Sequence, residues 1–123
     1  MISIEDTERI AGEIVDELPD ELFAQLNGGV NISPEFRFSP YAIDGDLIIL
    51  GEYTSDPILG RIIFIYHGSF VSKFGMLDEA GYKEELRKII YHELTHHLES
   101  LAGERDLEIS DEEYIANYIK AHR

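Results

Sequence analysis

Three histidines and a glutamate fall within the stretch His92–His97, in the run YHELTHHLES that spans residues 91 to 100. Imidazole nitrogens and carboxylate oxygens can ligate a metal or move protons, so the question is whether their spacing lets them act together. At about 100° per residue, His92 and His96 lie about 40° apart on one helix face and one turn apart along it, so both rings reach a single ion. Glu93 lies about 100° round from His92, beside that face, where its carboxylate could take a proton from a metal-bound water. The same wheel places Ile90, Leu94, Leu98 and Leu101 on the opposite, packing face. The pattern is HExxH, and the composition of the chain gives roughly a 3% chance of meeting it by accident.

A catalytic zinc usually takes three protein ligands and leaves a fourth position to water. Four residues are candidates for the third. Glu99 shares the face but lies about 10 Å beyond His92 along the helix, a poor position for an ion held by both histidines. Glu104 and Asp106 follow Gly103, where a turn could bring the chain back, and His67 could approach from a strand end. His97 lies about 100° from His96 towards the packing face, which predicts a hydrogen-bonded structural histidine and not a ligand. Tyr66, Tyr91 and His67 are candidate donors to an oxyanion.

These side chains need a scaffold. Ser3 followed by Asp6 reads as an N-cap for a first helix in which Ile10, Ile14 and Leu18 recur at helical spacing. Pro19 opens a second short helix that Gly28 and Gly29 end. The runs VNISPEFRF (30–38), DLIILGEY (46–53) and RIIFIYHG (61–68) are rich in β-branched and aromatic residues and read as three strands. The alternating EFRF suits a half-exposed or edge strand, and the nearly continuous RIIFIY suits one buried on both faces. From Asp78 one long helix runs to Gly103, and a last helix spans Asp111 to Lys120. The expected fold is α+β: a small mixed sheet of about three strands packed against a long histidine-bearing helix, with N-terminal and C-terminal helices, in one domain over residues 1–123.

The run HELTHHLESLAGERDLE (92–108) resembles the zincin-like metallopeptidases, and more closely a family of small bacterial proteins regarded as minimal zincins. That family carries HExxHH, then a glycine, then an aspartate three residues later. His92, Glu93, His96 and His97 match, and Gly103 with Asp106 keeps the glycine–aspartate spacing, although the gap from His97 to Gly103 is longer than usual by nearly a helical turn. The likeness extends to the N-terminal ELPDELFAQLNGG and the middle LGEY. The resemblance implies zinc held by His92, His96 and Asp106, Glu93 as general base, and a sheet edge that aligns an extended peptide or protein substrate beside the site. Which of the three strands is that edge is not specified by the sequence, and EFRF is one candidate.

Composition limits the alternatives. Ten Lys and Arg against 25 Asp and Glu leave a formal charge of −15, which repels nucleic acid and anionic membranes. No cysteine is present, so any metal must be held by imidazole and carboxylate. The acidic start MISIEDTERI is unlike a signal peptide, and a cytoplasmic location is expected. The leading expectation is a zinc metallopeptidase. Its rival is a metal-stabilised peptide- or protein-binding module without hydrolysis. Oligomeric state is not specified by the sequence.

Overall fold

A computed structural model describes residues 2–39 and 47–103. The first helix, α1 (Ile4–Glu17), starts where the Ser3 hydroxyl accepts the Asp6 amide at 3.0 Å. A 3₁₀ turn over Asp20–Phe23 follows, shorter than the helix expected there. Five strands come next: β1 (Gly29–Ser33), β2 (Arg37–Phe38), β3 (Ile48–Ile49), β4 (Gly51–Asp56) and β5 (Gly60–Tyr66). Helix α2 (His67–Phe74) and the long α3 (Glu79–Ala102) complete the described chain. The architecture is α+β, as expected.

β5 is the centre of a mixed three-stranded sheet, parallel to β1 and antiparallel to β4. Both of its edges are paired, and Ile62, Ile63, Ile65 and Tyr66 are buried while Phe64 is half-buried, which suits its continuous apolar run. β2 and β3 form a separate antiparallel ladder. The EFRF run is therefore not an edge of the main sheet; the edges are β1 and β4. The β4–β5 hairpin turns on Asp56, whose Oδ1 accepts the amides of Ile58 (2.7 Å) and Leu59 (2.8 Å), and on Gly60 at φ +81°.

Side chains alternate across β5. Ile63 and Ile65 face a core made with Ile10 and Ile14 of α1 and Tyr82, Leu86, Ile90 and Leu94 of α3. Ile62, Phe64 and Tyr66 point to the other face, where Arg37 lies over the Tyr66 ring. Tyr82 is fully buried, which pushes its phenol pKa up. Its hydroxyl meets Thr7 Oγ1 at 2.8 Å, and Thr7 in turn donates to the Ser3 carbonyl. On the outside, Glu17 of α1 accepts from Lys83 and Arg87 of α3, each at 2.8 Å.

β4 runs along α3 in close contact. A Cβ on Gly51 would lie 2.9 Å from Ile89 Cγ2, so only glycine lets the strand pass beneath this turn of the helix. The Asp78 side chain caps α3 by accepting the Gly81 amide, and Gly103 ends it, at the two positions expected from sequence.

Candidate metal centre

The helix places one donor atom from each of His92, Glu93 and His96 within 4.8 Å of the other two. His92 Nε2 and His96 Nε2 are 3.1 Å apart, with the rings nearly perpendicular. Two nitrogens on one tetrahedral zinc, each at about 2.0–2.1 Å, would be separated by about 3.3 Å. The pair is thus spaced as a bidentate site requires. His92 is exposed, His96 is half-buried, and Glu93 is only 6% exposed.

The wheel is rotated from the sequence-based picture. The buried face of α3 carries Tyr82, Leu86, Ile90, Glu93, Leu94, His97 and Ser100, whereas Leu98 is 39% exposed and Leu101 half-buried. The reason is β4, which covers the side marked by Ile89. His92, Glu93 and His96 stand three, four and seven residues beyond Ile89 and so continue the face that β4 borders. In the β4–β5 ladder the Tyr66 amide donates to the Leu50 carbonyl, so the alternate residues Gly51, Tyr53 and Ser55 turn their backbone N–H and C=O groups to the outer edge. No other described strand pairs with that edge. The edge strand beside the histidines is β4.

His97 behaves as expected and points away from the pair. It is fully buried, with Nε2 2.8 Å from the Ala24 carbonyl and Nδ1 2.9 Å from Tyr53 Oη. A carbonyl can only accept, so Nε2 carries the proton; in the neutral ring Nδ1 then accepts from Tyr53. A left-handed turn at Gln25 (φ +64°) follows Ala24. Arg61 Nη1 donates to Tyr53 Oη at 3.1 Å and to Ser100 Oγ at 2.5 Å. This chain of contacts fastens β4 and β5 to the turns of α3 that carry the site. Tyr53, Arg61 and Ser100 were not singled out from sequence, since partners separated by 39 to 44 residues leave no local signal.

The remaining candidates separate clearly. His67 opens α2, with its Nε2 3.2 Å from the Ile2 carbonyl, and is not part of the cluster. Tyr66 lies on the sheet face away from α3, accepting from Arg37 at 2.8 Å and donating to Glu52 at 3.1 Å. Burial raises its pKa and the Arg37 bond opposes that rise. Neither His67 nor Tyr66 is placed to serve an oxyanion at the histidine pair. Tyr91 is exposed, on α3 itself. Glu99 approaches Nδ1 of His96 at 3.9 Å, the nitrogen that does not face His92, so it is not a ligand shared by both histidines. Asp106 and Glu104 lie outside the described residues, as does the helix expected over Asp111–Lys120.

No family model matches the chain, and no curated protein does. Among solved structures, a conserved hypothetical protein from T. thermophilus is similar, with a TM-score of 0.69 and 32% identity over 82% of this chain and 98% of that one. The chain belongs to the family of that protein. The match supports the α+β fold described above, and the description of that protein carries no activity.

Proposed function

We propose that this protein is a zinc-dependent metallopeptidase of the minimal zincin type. The observation that carries the reading is the 3.1 Å approach of His92 Nε2 to His96 Nε2, with the buried Glu93 carboxylate in the same cluster. The donor set is imidazole and carboxylate, which suits zinc. Bound there, zinc would polarise a scissile carbonyl and make a water acidic enough to be deprotonated near neutral pH. Glu93 takes the proton from the water and passes it to the leaving amine. His92 and His96 hold the metal, and Asp106 is proposed as the third ligand from the resemblance of its spacing after Gly103.

The outward N–H and C=O groups of Gly51, Tyr53 and Ser55 support a peptide or protein substrate. An extended segment paired to β4 gains affinity through main-chain bonds, without a demand on its sequence. A cytoplasmic location belongs to the same proposal and is checked by cell fractionation.

The test is metal analysis and peptide cleavage on the same preparation. Protein handled without chelators should contain about one zinc per chain. Glu93→Gln should keep the zinc and lose cleavage of a peptide library by at least the 10²–10⁴-fold that a general base contributes. Zinc without Glu93-dependent cleavage would instead assign a metal-stabilised binding module, and absence of zinc would remove both readings.

A further inference from the structure

The two histidines are not equivalent, and the difference lies on the side of His96 away from the pair. Glu99 Oε2 is buried and makes no hydrogen bond within 3.5 Å, and it stands 3.9 Å from His96 Nδ1. That separation is too short for a bridging water, since two hydrogen bonds of about 2.8 Å meeting at a tetrahedral oxygen span about 4.6 Å. A buried carboxylate oxygen needs a donor, and a small rotation about the Glu99 side chain closes the gap to His96.

We propose that Glu99 is a positioning residue that holds His96 in the Nδ1–H tautomer, leaving Nε2 as a lone-pair donor aimed into the cluster. This deepens the metal reading of the same site, although the tautomer itself exists without metal. A consequence follows for the pair. With the His96 proton on Nδ1, the 3.1 Å contact between the two Nε2 atoms must be donated by Nε2–H of His92. His96 is then prepared to ligate, whereas His92, the exposed partner, must move its proton to Nδ1 before it can. A carboxylate behind a ligating imidazole fixes the ring and raises its basicity, and removing such a partner typically weakens metal binding ten- to a hundredfold.

The experiment uses the full chain and two substitutions of similar volume. Glu99→Met removes the acceptor, and Glu99→Gln keeps a neutral acceptor in its place. Long-range nitrogen–proton NMR of the metal-free proteins reads the tautomer of His96, and competition with a chromophoric chelator reads zinc affinity. The expected result is Nδ1–H at His96 in the wild type and in Glu99→Gln, and loss of that preference in Glu99→Met. Zinc affinity should fall ten- to a hundredfold in Glu99→Met and by less in Glu99→Gln, with the melting temperature of each metal-free protein near that of the wild type. An Nε2–H tautomer at His96 in the wild type, or a tautomer unchanged in Glu99→Met, overturns the inference. Wild-type zinc affinity retained in Glu99→Met overturns its metal consequence while leaving the zinc reading intact. A wild type that binds no zinc removes the zinc reading, and the NMR result still decides the role of Glu99.

Discussion

The two halves of α3 are built on different principles. From Tyr82 to Ile90 the buried positions are apolar or a single satisfied phenol, and the outer side is tied to α1 through Glu17, Lys83 and Arg87. From Glu93 to Ser100 the same helix buries a carboxylate, an imidazole and a hydroxyl. Apolar burial yields free energy without geometric demands, whereas each buried polar group costs free energy unless a partner is placed for it. The first half therefore anchors the helix, and the second half uses that anchorage to hold polar groups in fixed positions.

The largest effect should come from the anchoring half. Leu86→Ala, at a fully buried position, should cost about 2–5 kcal/mol in a denaturant titration. Folded Leu86→Ala protein should still take up zinc, and loss of uptake without unfolding would show that the halves are not separable. Next, zinc at about a hundred times its Kd should stabilise the wild type by about 2.7 kcal/mol, and EDTA should remove the gain. The same increment in a His92→Ala, His96→Ala double variant would place the metal elsewhere. Tyr53→Phe deprives His97 Nδ1 of its partner and should cost about 1–3 kcal/mol by the same titration. A neutral result would mean that the polar half does not depend on that bond.

The smallest effect should be that of Glu17→Gln on the anchoring half. Hydrogen bonds from Lys83 and then Arg87 hold the Glu17 pKa below the ordinary carboxylate value. A depressed folded-state pKa means that the contribution is complete above the unfolded value and is lost as pH falls through the folded one. Glu17→Gln should therefore lower the melting temperature slightly near neutral pH and converge with the wild type in acid. The pair is exposed, so the shift should be small. A gap that widens on acidification would reverse the sign of the argument.

Sequence showed most plainly what local rules govern. The ends of α3 carry their own markers, Asp78 and Gly103, and the wheel separates His97 from His92 and His96 before any tertiary contact is known. The buried character of β5 was equally plain from its unbroken apolar run. Helix α2 was missed because Gly68, Ser69 and Val71 follow directly on a strand and favour helix weakly, although Phe70 and Phe74 one turn apart do carry the signal. The run 46–53, expected as one strand, divides at Leu50 because Ile48 and Ile49 pair with β2 while Gly51 enters the main sheet beneath Ile89. Pro34 divides 30–38 in the same way, having no amide to offer a ladder. The rotation of α3 towards Glu93 depended on where β4 would pack, and no periodicity within the helix records that.

The outer edge of β4 has one further consequence. Outward backbone groups that can align a peptide can equally align a second copy of the same strand, which is how sheets grow into aggregates. On the proposed reading, in which β4 receives a peptide, the strand would need protection from itself by something that does not block that peptide. With a formal charge of −15, two copies of this chain repel as they approach, while a neutral or cationic segment does not meet that barrier. The acidity of the chain thus weighs against the pairing of β4 with a second copy of itself.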